Sequence, residues 1–385
     1  MIEKNDLFSW AEAHADEQLA LLKELAAIPA PSHQEQQRVE FICRWLKNLG
    51  VDDVVVDEAQ NILIPFGCKG RDDITVYMAH TDVVFPDLTP LPVREEAGKL
   101  YAPGVGDDTA NVVSLMLCVK YILEHRAVAR EPVLVVFNSC EEGLGNLKGV
   151  RQIMNRYSGR VKELISFDAG FKRICNRAVG SERWKVSVKT KGGHSYGAFG
   201  NPNAIVCLAE LITKLSRQSV PEIPGRKTTY NVGTISGGTS VNTIAQDAEM
   251  LYEYRSDDKA GMEQMREQFF ALLDEAQQSM DAVFEKTLLG ERPCGVDLAT
   301  ELHPPLIDRS TAAITAVTGI MPGTYAASTD ANIPLAMGIP AVTFGLYTGV
   351  GAHTREENLD IDSLLPGLEI GLLMVLHHFD FSIEK

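Results

Sequence analysis

Hydrophobic positions in the first half of the chain alternate between helical spacing and short unbroken runs. The N-terminal apolar positions recur every three or four residues and predict two helices, at Leu21, Leu22, Leu25 and at Ile42, Leu46, Leu49. Apolar runs without polar alternation follow, as is typical of strands covered on both faces, at residues 74–78, 133–137 and 164–167. Residues 112–123 return to helical spacing between the first two runs. This order predicts an α/β fold with a mostly parallel sheet covered by helices.

The pattern changes near residue 180. Apolar and polar residues now alternate, as in strands of an antiparallel sheet with one solvated face, at Trp184, Val186, Val188 and at Ala248, Met250, Tyr252, Tyr254. Helical patterns cover about 202–215 and 262–280, so the order predicts a small ferredoxin-like α+β module. The α/β pattern resumes with a strand at 341–344 and a closing helix at 363–379. We expect a catalytic domain of residues 1–179 and 294–385, interrupted by an inserted domain of residues 180–293.

Composition narrows the class of protein. The chain has 385 residues, of which 45% are hydrophobic and 23% charged, as in a globular protein of more than one domain. Its net charge of −16 and the lack of a Lys/Arg block exclude a nucleic-acid partner and an anionic membrane. No window approaches the roughly 20 apolar residues of a membrane-spanning helix.

The cysteines and the N-terminal sequence indicate the compartment. The seven cysteines are odd in number and scattered, without a C-x-x-C pair, which excludes a disulfide framework and a cysteine-type zinc site. The first residues are charged and lack the apolar core of a signal peptide. We expect a cytoplasmic protein with reduced thiols.

The first candidate for metal chemistry is His80-Thr81-Asp82, directly after the run at 74–78. Residues two apart in an extended segment point the same way, so Asp82 can orient His80 by accepting a hydrogen bond from its second ring nitrogen. On its own the tripeptide fits better a capped strand end with a surface histidine.

Four further segments place histidine or carboxylate beyond predicted strands or at a helix start. They are Asp107 in the glycine-rich segment 104–108, the pair Glu141-Glu142, Asp168, and His353. Each alone also fits an ordinary alternative, namely a helix cap, a solvated acidic turn, a solvated carboxylate and a surface histidine. Together with His80 they indicate a metal centre, because the carboxyl ends of parallel strands meet at one edge. A mixed histidine and carboxylate set suits Zn²⁺ or a similar metal, and a bridging carboxylate allows two.

This ordered set of motifs resembles the di-zinc amidohydrolase and exopeptidase superfamily, which includes tripeptidase T, succinyl-diaminopimelate desuccinylase, acetylornithine deacetylase, aminoacylase and glutamate carboxypeptidase. The resemblance implies two Zn²⁺ per chain, with Co²⁺ or Mn²⁺ as alternatives. It assigns His80 and Asp168 to one zinc, Glu142 and His353 to the other, Asp107 to the bridge, Asp82 to the orientation of His80, and Glu141 to the general base.

By the same resemblance the inserted module is a lid or dimerisation domain. His194, in Gly192-Gly193-His194-Ser195, matches a lid histidine that in dimeric members enters the active site of the other subunit and stabilises the oxyanion. Further matches are Asn242 as a substrate contact, Arg255 as a ligand of a substrate carboxylate, and Ser328 and Thr329 as pocket-lining residues closest to tripeptidase-like members. From the residues alone, His194 also fits a hairpin loop, Asn242 a turn, and Arg255 an ion pair with Asp257 or Asp258.

One segment departs from the family pattern. Many members continue the bridging aspartate as Asp-x-Lys-Gly, whereas this chain has Asp107-Asp108-Thr109-Ala110. The change removes no ligand but alters the local charge, so it bears on substrate subclass and metal affinity.

These observations predict a homodimeric enzyme that hydrolyses amide bonds of short peptides through a water shared by two metals, with Glu141 as the base. The first alternative is a deacylase of N-acyl amino acids at the same site. The second is a catalytically silent, metal-poor binding module, which the competent residues at all seven core positions disfavour.

Overall fold

The computed structural model describes residues 4–51, 54–296 and 303–381. The chain divides into two compact units, the first within Met1–Arg177 and Asp297–Lys385, the second Ala178–Val296. Within the described ranges no helix combines the length and apolarity needed to cross a membrane. All seven cysteines lie in these ranges and carry free thiols.

The helices of the described residues are α1 (Lys4–Ala13), α2 (Ala15–Ala26), α3 (Gln36–Asn48), α4 (Asn111–Glu124), α5 (Lys148–Arg156), α6 (Ala204–Leu215), α7 (Lys259–Ser279), α8 (Pro304–Thr318), α9 (Asn332–Ala336) and α10 (Leu364–Leu376).

The strands of the same residues are β1 (Val55–Val56), β2 (Ile62–Phe66), β3 (Ile74–His80), β4 (Arg94–Glu96), β5 (Lys99–Tyr101), β6 (Val128–Ala129), β7 (Val133–Asn138), β8 (Val161–Ser166), β9 (Arg173–Ala178), β10 (Gly180–Lys189), β11 (Gly193–His194), β12 (Thr228–Gly237), β13 (Thr243–Ile244), β14 (Asp247–Ser256), β15 (Val283–Arg292), β16 (Gly323–Ala327), β17 (Ala341–Thr343), β18 (Gly349–Val350), β19 (Asn358–Asp360) and β20 (Phe379–Asp380).

An eight-stranded sheet forms the centre of the first unit, in the order β1-β2-β7-β3-β8-β17-β9-β16. Its four middle strands are parallel to one another. Every residue of β3 and β7 is buried, because helices cover the sheet and leave no solvated face. These features confirm the predicted α/β class. The antiparallel flanks, β2 beside β7 and β9 beside β17, were not predicted, since strand direction leaves no mark on a single apolar run.

Helix α10 packs closely against the segment that leads from β17 to His353. A Cβ placed on Gly367 would lie 1.5 Å from the carbonyl oxygen of Leu346, so only glycine permits this approach. The contact fixes the start of the segment by backbone packing, without a side chain between.

A small sheet in the order β18-β19-β5-β4 lies in the first unit beside the segments 104–108 and 353–357. Asn358 in β19 pairs with Tyr101 in β5, which brings the chain after His353 next to the chain before Asp107. No pattern in the sequence predicts this pairing, because its strands are two or three residues long.

The second unit is an antiparallel sheet, in the order β12-β14-β10-β15, with two helices. Its core contains the alternating apolar residues predicted for β10 and β14, packed with apolar residues of α6 and α7. Strand β15 completes a β-α-β-β-α-β order that the sequence predicted only to its fifth element. The residues of β15 are mostly exposed and carry weak alternation, which is why the pattern did not indicate a strand.

Candidate metal centre

Three neighbouring strands of the central sheet end with polar residues at one edge. β3 ends at His80 and β7 at Asn138, and these two residues are register partners. β8, on the other side of β3, ends two residues before Asp168. Because all three strands are parallel, they deliver His80, the segment 139–142 and Asp168 to one place.

The five residues predicted as metal ligands lie together. Possible ligand atoms of His80, Asp107 and Asp168 lie within 4.8 Å of one another, and so do those of Asp107, Glu142 and His353. Asp107 belongs to both groups. Its Oδ1 is 3.1 Å from His80 Nε2, and its Oδ2 is 3.1 Å from His353 Nε2. Asp107 therefore has the position of a bridge between two adjacent groups.

The chemistry of this donor set fits two divalent cations. It combines two imidazoles with three carboxylates, the ligands that zinc and other first-row cations take in mixed sites. Buried carboxylates at these separations repel one another, and low dielectric strengthens the repulsion. Positive charge is therefore what the group requires.

The pKa shifts of the ligand residues have the same cause. Burial, followed by the nearby Asp107, raises the pKa of Asp168. Burial raises the pKa of Glu142 to about 7. Hydrogen bonds to Asp107 and Glu142 raise the pKa of His353 to about 11. Burial acts to raise the pKa of Asp107, but the hydrogen bonds from His353 and His80 outweigh it and lower that pKa. Without metal, protons supply the compensating charge.

Asp82 holds the turn that carries the two adjacent glutamates. Its Oδ1 accepts the backbone N–H of Glu141 at 3.0 Å, and its Oδ2 accepts the N–H of Glu142 at 2.9 Å and the hydroxyl of Ser32 at 2.7 Å. The nearest Asp82 atom to His80 Nδ1 is the backbone carbonyl oxygen at 3.1 Å, and Oδ1 lies at 3.4 Å. The Asp82 carboxylate thus orients the glutamate turn as well as lying beside His80.

The carboxylates of Glu141 and Glu142 lie close to each other but belong to different sets of neighbours in the site. Glu142 lies with Asp107 and His353, and its Oε1 is 3.3 Å from His353 Nε2. Glu141 is buried and has an oxygen within 4.8 Å of both His80 and Glu142 ligand atoms. It can face a water beside the ligand groups without itself being one of the five predicted ligands.

Two buried carboxylates hold the backbone of the segments that carry Asp107 and His80. Glu357 accepts the backbone N–H groups of Gly104, Gly106 and Asp107 at 2.8–2.9 Å. Asp108 accepts the backbone N–H of His80 at 2.9 Å through Oδ2. The backbone positions of His80 and Asp107 are therefore fixed by side chains that do not belong to the ligand set.

The loop with the predicted substrate contacts Ser328 and Thr329 lies beside the end of β7 in the first unit. Ser328 is half-buried, whereas Thr329 is buried and its hydroxyl lies 2.8 Å from that of Thr343. Asp330, next in the chain, is fully buried and accepts a 2.7 Å hydrogen bond from Asn138 Nδ2. Burial and then the nearby Glu141 raise the pKa of Asp330 to about 7.

The second unit brings His194 and Asn242 to one edge. β11 pairs with β13, and the N–H of Ser195 donates to the carbonyl of Asn242 at 2.9 Å. The His194 side chain is exposed, and its Nδ1 accepts the N–H groups of Tyr196 and Gly197 at 3.3 Å. In the neutral ring the proton therefore lies on Nε2, which makes that atom a hydrogen-bond donor.

Arg255, the predicted ligand of a substrate carboxylate, pairs with Glu253 two residues before it on β14. Its Nε and Nη2 donate to the two carboxylate oxygens at 2.9 and 3.0 Å. The sequence suggested Asp257 or Asp258 as the partner. In the structure, alternate residues of a strand share a face, and this selects Glu253.

Sequence reasoning did not find Ser32, Asp108, Asp330 or Glu357. Asp108 directly follows the predicted ligand Asp107, and Asp330 directly follows the predicted pocket residue Thr329. Their position next to these residues could have indicated that they belong to the site. Ser32 donates its hydroxyl to the Asp82 carboxylate and Glu357 accepts backbone N–H groups around Asp107, and only the folded structure shows these distant partners.

Comparisons with known proteins agree with this architecture. A family model described as peptidase family M20/M25/M40 matches residues 76–377. Succinyl-diaminopimelate desuccinylase from Corynebacterium glutamicum is 24% identical over 358 residues, which cover 90% of this chain and 92% of that protein.

Solved structures are similar over nearly the whole chain. A tripeptidase from Staphylococcus aureus has a TM-score of 0.76 at 20% identity, with 93% of this chain and 97% of that one covered. The YxeP protein of Bacillus subtilis, described as a dinuclear metal-binding peptidase, has a TM-score of 0.63 at 16% identity, with 95% and 99% covered.

The family model spans most of the chain, and the fold agrees with the solved structures. The chain therefore belongs to peptidase family M20/M25/M40 and is a metallohydrolase of that family, which confirms the resemblance that its motifs indicated.

Proposed function

We propose that the protein is a metal-dependent exopeptidase that hydrolyses an amide bond of short peptides, in the manner of a tripeptidase. The observation that carries the proposal is the shared position of Asp107 between the His80 and Asp168 group and the Glu142 and His353 group. These five residues would hold two zinc ions, and bound divalent cations lower the pKa of water and polarise a carbonyl oxygen.

Glu141 is the proposed general base. It would take a proton from the attacking water and return it to the leaving amine, which avoids expelling an unstable amide anion. Its burial and its distance from the His80 and Glu142 ligand atoms support this role. Asp82 would keep the glutamate turn in register, since it holds the backbone N–H groups of Glu141 and Glu142.

The second unit would supply the substrate contacts. The Nε2–H of His194 is the proposed donor to the oxyanion, because its Nδ1 already accepts two backbone N–H groups. Arg255 and Asn242 would bind the carboxylate end of the substrate, which selects short peptides or N-acyl amino acids. Ser328 and Thr329 would border the pocket.

A deacylase of N-acyl amino acids is the second candidate. The observation in its favour is the 24% identity to a succinyl-diaminopimelate desuccinylase over 90% of this chain. The tripeptidase-like sequence 328–332 and the fold shared with a tripeptidase favour peptides. We further propose that the enzyme works in the cytoplasm, where its seven free thiols would stay reduced.

Replacing the proposed base tests the mechanism. We expect Glu141→Gln to retain both zinc ions by elemental analysis and to lose about 10²–10⁴-fold in kcat on tripeptides, because the amide cannot take up the proton. Glu356→Gln, at an exposed position near His353, is the matched control and should retain activity. Wild-type turnover by Glu141→Gln would refute the assigned base.

A substrate panel tests the substrate class with the zinc-loaded wild type. We expect tripeptides to be cleaved with a higher kcat/KM than N-acetyl and N-succinyl amino acids. Cleavage of the acylated compounds alone would make the enzyme a deacylase. Two bound zinc ions without turnover on any substrate would leave a silent binding module.

Metal removal should expose a pH-dependent stability. Burial raises the pKa of Asp330 and of Glu357 to about 7, from ordinary values of 3.8 and 4.5. The folded state therefore binds more protons than the unfolded state between about pH 4 and 7, and stability falls as pH rises through this window. We expect the metal-free protein to lose on the order of 3–4 kcal/mol per carboxyl by pH 8, measured by urea denaturation.

Asp330→Asn separates this effect from general pH sensitivity. The amide keeps an acceptor for Asn138 and removes the titrating group, so the metal-free variant should show a flatter stability profile between pH 5 and 8. An unchanged profile would contradict the assignment of Asp330.

The second unit would also form the proposed homodimer. β12 lies at the edge of its sheet, and the exposed side chains of Ile235 on β12 and of Ile205 and Val206 on α6 form an apolar surface beside it. Exposed strand edges and apolar patches favour pairing between chains.

Light scattering during size-exclusion chromatography tests this interface. We expect a dimer for the wild type and a monomer for Ile235→Lys, because a lysine ammonium would be buried at the pairing edge. Met321→Lys, also at an exposed apolar position but in the first unit, is the control and should remain dimeric. A monomeric wild type would refute the dimer.

A further inference from the structure

Arg38 is a fully buried cation that belongs to none of the groups described so far. It lies in the first turn of α3 and has no exposed surface. Its Nε donates to the carbonyl of Ile28 at 2.9 Å, and its Nη1 donates to the carbonyl of Thr81 at 3.2 Å and to Thr109 Oγ1 at 3.0 Å. Nη2 is buried and makes no hydrogen bond within the described residues. Burying a guanidinium in this way is costly unless nearby negative charge compensates.

Two of these contacts fall on the segments that carry proposed ligands. Thr81 directly follows His80, and Thr109 lies two residues after Asp107. The hydroxyl of Thr109 in turn donates to the carbonyl of Gly104 at 2.5 Å, which closes the glycine-rich turn around Asp107. One guanidinium therefore ties together two segments whose ligand atoms, His80 Nε2 and Asp107 Oδ1, are 3.1 Å apart.

Three buried carboxylates lie near Arg38, and Asp82 carries most of the compensating negative charge. Burial raises the pKa of Asp108 and of Glu357, whereas for Asp82 the hydrogen bonds from His80 and Ser32 outweigh burial and lower the pKa. Burial lowers the pKa of Arg38 to about 10, and the charges of Asp82, Asp108 and Glu357 oppose this decrease. Arg38 is thus protonated at neutral pH. Each of these carboxylates accepts backbone N–H groups of the site: Asp82 those of the glutamate turn, Asp108 that of His80, and Glu357 those around Asp107.

We infer that Arg38 is a positioning residue of the proposed metal centre, which fixes the His80 and Asp107 segments through its hydrogen bonds to Thr81 and Thr109. The inference rests on the proposed function. Through its hydrogen bond to Thr109, Arg38 brings a cation from α3 to the segment that follows Asp107.

Metal affinity in the variant Arg38→Met tests the inference without relying on turnover. Methionine fills a similar volume but provides neither the charge nor the donors. We expect the folded variant, checked by circular dichroism, to bind Zn²⁺ about 10-fold or more weakly in competition with a chelator, as outer partners of metal ligands typically affect affinity. The visible absorption spectrum of the Co²⁺-loaded variant should also change, because it reports ligand geometry. Arg44→Met, at an exposed position of the same helix, should match the wild type in both measurements.

A second variant keeps the test decisive if Arg38→Met does not fold. Thr109→Val is nearly isosteric and removes only the hydroxyl that accepts from Arg38 and donates to Gly104, so we expect a weaker Zn²⁺ affinity and a changed Co²⁺ spectrum. Wild-type affinity and spectrum in folded Arg38→Met, or in Thr109→Val if the first variant is unfolded, would overturn the inference while leaving the proposed function intact. A wild-type protein that binds no Zn²⁺ would instead refute the proposed function itself.

Discussion

Mutual repulsion among buried carboxylates is the constraint on which the arrangement of this site depends. Asp107 and Asp168 offer ligand atoms within 4.8 Å of His80, and Asp107 and Glu142 within 4.8 Å of His353. Glu142 and Asp168 are buried, and Asp107 is half-buried. Such a cluster persists only if protons, hydrogen-bond donors or cations compensate it. The raised pKa values of Glu142 and His353 show protons in that role, and metal binding would release them.

The groups that compensate the negative charge of the ligands differ from the residues that position the segments carrying them. The parallel strands bring His80, the glutamate turn and Asp168 to one edge, but strand ends fix a side chain only coarsely. Asp82 and Glu357 refine the geometry by accepting backbone N–H groups of the segments that carry the ligands. A carboxylate that accepts several backbone N–H groups anchors a segment without touching the metal, so the ligands themselves remain available for cations.

The sequence indicated those parts of the site that depend on residues close to one another in the chain. His80, Glu142 and Asp168 follow apolar runs that are long enough to be recognised as buried strands, and the fold class followed from the same runs. Glu357 could not be found in this way, because its partners at Gly104 and Asp107 are about 250 residues away in the chain and are joined to it through strands of two or three residues.

For Arg38, the sequence could predict the burial of the side chain but not its hydrogen-bond partners. It precedes Ile42 by four residues and Leu46 by eight, so the helical spacing that predicted α3 also places it on the buried face. A charged residue on an apolar face was a signal present in the sequence. Its partners Thr81 and Thr109 were not, since hydroxyl and carbonyl acceptors carry no pattern of their own.

The pairing of Arg255 with Glu253 bears on how the proposed substrate contact would work. One edge of the guanidinium, formed by Nε and Nη2, already points at a carboxylate, so a substrate carboxylate on that edge would exchange one ion pair for another rather than create a new one. The gain in free energy from such an exchange at a partly exposed site is small. Glu253 holds the fork in a defined direction before any substrate arrives, and that direction limits how the bound carboxylate can lie. In this arrangement Arg255 would contribute more to the orientation of the scissile bond than to the affinity for the substrate.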